Sequence, residues 1–130
     1  MEREIKFKAK SIYNNEWVYG DLLHQADGTH IFMGKGKNGH TLCPRVDPLT
    51  VCQFTGLKDC EGNEIWEGDI ISSPHFERVA TVKWDDSLCG FKCSDVTGNI
   101  NLCFTAIAHC SEWSIVGNKF DKKSSVWKDK

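Results

Sequence analysis

The sequence predicts an all-β protein, and three observations carry that prediction. Apolar and polar residues alternate in short runs, as with Ile5, Phe7 and Ala9 set against Glu4, Lys6 and Lys8. Residues that favour turns (Gly, Asn, Asp, Pro) separate those runs at short intervals. The middle of the chain, Val46 to Ile71, packs two strand-like runs and three turn signals into one fifth of its length. Short strands joined by such turns build sandwiches or barrels rather than helical layers.

Residues 3–9 read as a half-buried first strand, with the apolar set on one face and the charges on the other. Tyr13-Asn14-Asn15-Glu16 turns the chain, and Trp17 to His24 returns as the second strand of a hairpin. Gln25 to Gly28 turns again before a third strand, Thr29 to Met33. Gly34-Lys35-Gly36-Lys37-Asn38-Gly39-His40 reads as a flexible loop, because its glycines resist a regular element. Thr41 to Val46 leads out of it.

The central block follows. Asp47-Pro48 starts a turn, since proline fixes its own φ and pushes its predecessor out of the helical region. Val51, Phe54 and Leu57 anchor a strand near 50–55. Asp59-Cys60-Glu61-Gly62-Asn63 is a hairpin-type turn in which Gly62 takes positive φ. Gly68 stands between Glu67 and Asp69, where one strand turns into the next at 69–72. We read Gly62, Gly68 and Asp69 as structural turn residues.

Beyond a break at Ser72-Ser73-Pro74-His75, strands are expected near 78–84, 90–95 and 112–116. Asp85-Asp86-Ser87 opens the turn between the first two, and Gly90 closes it. Ile100 to Thr105 extends, and Ala106 to Cys110 suits one short helical turn. Residues 119–130 are polar and rich in lysine. The glycine loop at 34–40 is the natural seam. It divides the chain into a small N-terminal β-meander (1–45), a barrel (46–118) and a lysine-rich C-terminal tail (119–130).

One stretch carries a resemblance. FTGLKDCEGNEIWEGDII, residues 54–71, resembles the signature of the YopX protein family, small proteins encoded by bacteriophages and prophages. Glu4 to Ala9, Trp17 to Leu22, Val82 to Asp86, Gly90-Phe91 and Trp113 to Asn118 resemble that family's other elements, so nearly the whole chain is covered. The resemblance implies an SH3-like β-barrel and a phage or prophage origin. It carries over no catalytic or binding residue. Cys52 stands where the family often has glycine, and Cys60 sits in a polar turn; neither departure alters the expected fold.

A chain of 130 residues suffices for one compact domain or two small ones. No apolar run approaches the roughly 20 residues of a membrane-spanning helix. The charged start, MEREIKFKAK, does not read as a secretory signal. Seven cysteines, an odd number at irregular spacing, make a poor disulfide framework and suit reduced, mostly buried thiols. These readings place the protein in the cytoplasm, which the resemblance implies is that of a bacterial host.

The net charge of −2 hides an asymmetry. Residues 1–46 carry seven Lys/Arg and five Asp/Glu, hence +2. Residues 47–117 carry four and eleven, hence −7, and residues 118–130 five and two, hence +3. Uneven decoration of a wet surface explains this; so does a basic end of one copy meeting the acidic centre of another.

Catalytic motifs are absent from the sequence. There is no Gly-x-Ser-x-Gly elbow, no phosphate-binding Gly-x-x-x-x-Gly-Lys-Ser/Thr loop and no His-Glu-x-x-His. The five histidines are scattered. Cys89-x3-Cys93 and Cys103-x6-Cys110 offer soft ligands, but structural zinc favours a tighter pair on a turn, and Cys93 shares its strand parity with Phe91. The carboxylates of the central block stand where turn amides need acceptors. No catalytic residue, metal ligand or cofactor is therefore assigned.

Two association readings remain. Phe120, Val126 and Trp127 form an apolar anchor in the basic tail, fit to dock on a partner. Lys35, Lys37 and Arg45, on or near the glycine loop, are candidates for phosphate contact. Against the second stands the acidic barrel half. The expected function is a non-catalytic β-module that associates with itself, or with another phage or host protein, away from membranes. The alternative is a nucleic-acid-binding accessory protein.

Overall fold

The structure is a computed structural model, and it describes residues 4–74, 79–95, 101–103 and 113–121. Every extended element there is a β-strand, so the all-β class holds. The chain divides into two compact units, Met1–Phe54 and Thr55–Lys130.

In the first unit, β1 (Phe7–Lys10) and β2 (Trp17–Gln25) are antiparallel, with Phe7 opposite Gly20, Ala9 opposite Val18 and Lys10 opposite Trp17. Because side chains alternate along a strand, Phe7, Ala9 and Val18 share one face. They pack with Leu22, Ile31, Val46 and Val51 into the core of this unit. β3 (Gly28–Phe32) lies beyond β2. Its outer edge is covered by the incoming chain. The Ile31 N–H donates to the Pro44 carbonyl at 3.1 Å, and the Val46 N–H donates to the Thr29 carbonyl at 2.9 Å. The glycine stretch at 34–40 is not irregular throughout. β4 (Gly34–Lys35) and β5 (Thr41–Leu42) pair there, and the Gly36 N–H reaches the His40 carbonyl at 2.7 Å.

The lysines of β1 depart from simple alternation. Period-2 logic puts Lys6 and Lys8 in water, yet Lys8 is 7% and Lys10 is 9% exposed. The partner strand explains it. The Lys8 ammonium stands 4.3 Å and that of Lys10 5.0 Å from the centre of the Trp17 ring. A cation over an aromatic face keeps much of its stabilisation out of bulk water, and the lysine stems bury apolar length.

A short 3-10 turn, Pro48–Thr50, leads into β6 (Cys52–Lys58). β6 crosses from one unit to the next; Gln53 and Cys52 pair with Phe7 and Lys8 of β1. The boundary between the two compact units falls after Phe54. Val46 belongs to the first unit because it fills the core beside Ala9 and Ile31.

The second unit continues with β7 (Glu64–Trp66), next to β6, and then β8 (Asp69–Ser72), β9 (Ala80–Asp85), β10 (Gly90–Ser94), β11 (Asn101–Cys103) and β12 (Ser114–Asn118). The last five form an antiparallel sheet in the order β11-β10-β9-β8-β12. Ile65, Ile71, Ala80, Val82, Cys93 and Trp113 pack into its core. The sheets are open among the described residues, so the expected closed barrel is not what these strands form there. The short helical turn expected at 106–110 lies outside the described residues. No helix among those residues is long and apolar enough to cross a membrane.

Candidate functional site

The first unit contains a cleft of about 470 Å³, built where three stretches distant in sequence meet. Ser11 bridges Val46, and the Ile12 N–H donates to the Arg45 carbonyl at 3.1 Å. The turn between β1 and β2 is tied down locally. The Asn15 N–H donates to the Ser11 carbonyl at 2.9 Å, and the Ser11 hydroxyl accepts from the Tyr13 N–H at 3.1 Å. Asn15 takes φ of 60°, a left-handed conformation that asparagine tolerates.

Ser11, Ile12 and Asn15 line one side of the cleft, Gly28 and Thr29 another, and residues 45–48 the third. Gly28 makes room for Arg45: a Cβ there would come 2.8 Å from the Arg45 Nε. Among the described residues no carboxylate forms an ion pair with Arg45. Asp47 is engaged locally, its Oδ1 accepting the Leu49 N–H at 3.0 Å, which opens the 3-10 turn. The cleft therefore combines one guanidinium, one carboxylate and apolar walls from Ile12, Val46 and Pro48. Such a surface binds by shape and charge, and it contains no nucleophile beside a base.

His30, on β3, fastens the segment that carries Arg45. Its Nδ1 lies 3.1 Å from the Cys43 carbonyl and its Nε2 lies 2.9 Å from the Asp27 carboxylate. Both partners are acceptors, so the arrangement favours a ring protonated on both nitrogens. The Cys43 carbonyl, and next the Asp27 hydrogen bond, raise the His30 pKa above its ordinary value. The bond to His30 in turn lowers that of Asp27.

Arg45 lines the cleft, whereas Lys35 and Lys37 stand exposed on the β4–β5 hairpin and take no part in it. Phe120 is half-buried beneath the Lys119 ammonium, which stands 5.0 Å from its ring centre, and its N–H donates to Asn118 Oδ1 at 3.0 Å. Val126 and Trp127 lie outside the described residues. Cys89 is exposed while Cys93 is sealed in the core. Nothing is described of Cys110 or of the Cys103 side chain, and no metal-binding cluster occurs among the described residues.

The central-block carboxylates serve the backbone. Asp59 Oδ1 accepts from the Glu61 and Asn63 N–H groups at 2.9 and 2.8 Å, and its Oδ2 from the Ile115 N–H at 3.1 Å. Asp69 accepts from the Trp66 N–H at 2.7 Å and from the Asn118 amide at 2.9 Å. Gly62 and Gly68 have φ of 87° and 88°.

Sequence reasoning missed Ser11, Asn15, Gly28, Thr29 and His30. The Asn14-Asn15 and Asp27-Gly28 pairs flag turns, but no local signal says that both turns border one cleft.

No curated protein sequence matches the chain. The crystal structure of protein EF1440 from Enterococcus faecalis is similar, with a TM-score of 0.56 at 21% identity over 90% of this chain and 94% of that one. A likeness of that degree speaks for the fold alone. The family model described as YopX protein matches residues 6–123, nearly the full length, and the chain therefore belongs to the YopX protein family.

Proposed function

We propose that this YopX-family chain is a non-catalytic association module that binds a second copy of itself. The observation that carries the reading is the cleft beside Arg45. Its flanks leave Tyr13 75% and Leu49 80% exposed. Exposed apolar side chains rimmed by polar ones suit an association surface, because burial recovers roughly 25 cal/mol for each Å² of apolar area. The segregation of charge as +2, −7 and +3 along the chain supplies complementary surfaces on identical copies.

The finer fold reading, an SH3-like strand order in the second unit that stays open rather than closing into a barrel, has support of its own. β8 to β11 form a meander and β12 returns beside β8, a connectivity that suits that order. The Cys60 N–H donates to the Trp113 carbonyl at 3.0 Å, so the turn before β7 reaches the chain at the start of β12. Family membership supports a phage or prophage origin and a place in the bacterial cytoplasm. The tail anchor of Phe120, Val126 and Trp127 joins the interface.

Light scattering after size exclusion tests the reading at micromolar concentration. The full chain is compared with one ending at Asp121, which keeps the hydrogen bonds of Lys119 and Phe120. The full chain runs as an oligomer, and loss of the tail weakens it. A monomeric full chain refutes self-association; an oligomer indifferent to truncation removes Val126 and Trp127 from the interface. The exposed Lys35 and Lys37 favour a second reading, nucleic-acid binding, which copurifying nucleic acid in native mass spectrometry would support.

A further inference from the structure

We propose that the Arg45 cleft of one copy receives the β9–β10 turn, Trp84 to Leu88, of a second copy. This rests on the self-association reading and names its two surfaces.

The turn presents a single available carboxylate between exposed apolar groups. Asp85 is consumed internally: it takes the Lys92 ammonium at 2.7 Å and accepts from the Ser87 N–H at 2.8 Å. Those contacts hold its pKa far below the ordinary carboxylate value, with Lys92 the largest cause and Ser87 the next. Asp86 is exposed and uses Oδ1 to accept the Trp84 indole N–H at 2.7 Å. Its Oδ2 has no protein partner among the described residues. Trp84 and Leu88 are 46% and 53% exposed. Trp84 is braced by Phe91, edge to face at 5.2 Å. The Leu88 and Cys89 N–H groups donate to the Asp85 and Asp86 carbonyls, both at 3.2 Å. The tip is thus ordered before it meets anything, which lowers the entropic cost of binding.

The cleft presents the converse. Arg45 offers a planar fork that grips a carboxylate through two parallel hydrogen bonds. Ile12 and Pro48 offer apolar walls to Leu88. Asp47 also lines the cleft and repels a second acid, so the site suits a tip with one available carboxylate better than a run of acids. A volume of about 470 Å³ lies within the usual range for binding clefts. Cleft and tip are different surfaces. A reciprocal pair of such contacts closes a dimer, and a one-way contact gives a ring or a filament.

Charge exchange tests the contact. Arg45→Glu and Asp86→Arg are each made alone and then together, with circular dichroism melts to verify folding. Each single variant raises the dissociation constant of the oligomer at least about tenfold. The double variant returns it close to the wild-type value, and an equimolar mixture of the two single variants associates more tightly than either alone. An oligomer unmoved by either single substitution, or a double variant no better than the singles, overturns this contact while leaving self-association standing. A wild type that is monomeric overturns both. Should Asp86→Arg lose its fold with the Trp84 bond, Leu88→Glu reads the same contact, and an unchanged dissociation constant for it overturns the proposal.

Discussion

Asp59 and Asp69 show how much one residue can fasten. Burial alone would raise the Asp59 pKa. The N–H groups of Asn63, Ile115 and Glu61 outweigh it, and the net shift is downward. A depressed folded pKa contributes stability that is complete above the unfolded value, about 4, and is lost as the pH falls through the folded one. The stability of the wild type therefore declines on acidification below about pH 4. In Asp59→Asn that slope is shallower, as urea unfolding at several pH values will read. Asp69→Ala removes a buried acceptor from the Trp66 N–H and the Asn118 amide, at a cost of about 1–3 kcal/mol. His30 has the opposite sign. Its raised pKa adds stability that is complete below about pH 6.5 and fades as the pH rises through the folded value. Asp27→Asn lowers the His30 midpoint in an NMR titration; a midpoint that stays put contradicts the pairing.

At the scale of elements, the Glu67–Asp69 turn is held through both backbone groups of Gly68. The Gly68 N–H donates to the Val82 carbonyl at 2.7 Å, its carbonyl accepts from the Lys119 N–H at 2.9 Å, and its φ is 88°. A side chain there is strained by φ alone, and its Cβ would sit 3.3 Å from the Asn118 amide nitrogen. Gly68→Val should destabilise by more than about 1 kcal/mol. An unchanged melting midpoint would contradict this. The strand at 17–24 was legible in the sequence because alternation and flanking turns are local signals, and β2 covers Trp17–Gln25. The burial of Lys8 and Lys10 was not, because it depends on Trp17 across the sheet. Nor was the cleft, since nothing near Ser11 in sequence says that Val46 lies opposite. Arg45 was noticed for its charge alone, and the remote donors to Asp59 and Asp69 left no local trace.

For the whole molecule, the balance of charge sets a test that no single substitution provides. In the proposed assembly, segments of +2, −7 and +3 attract across copies only while salt leaves them visible to one another. The screening length falls from about 10 Å at 0.1 M to about 3 Å at 1 M. The proposed oligomer should dissociate as sodium chloride rises over that range, as sedimentation velocity will show. An assembly indifferent to salt would mean that apolar contacts alone hold the copies together.

The anchoring of β12 also has a consequence for synthesis. Its Ile115 binds a carboxylate 56 residues earlier and its Asn118 one 49 residues earlier. A ribosome adding about 5–20 residues per second needs roughly 2–10 s to travel from Asp69 to Asn118. Through that interval the first unit already has all its strands, whereas β8 waits with its β12 edge unpaired. In that interval β8 of the nascent chain offers an open edge to wrong strand pairing.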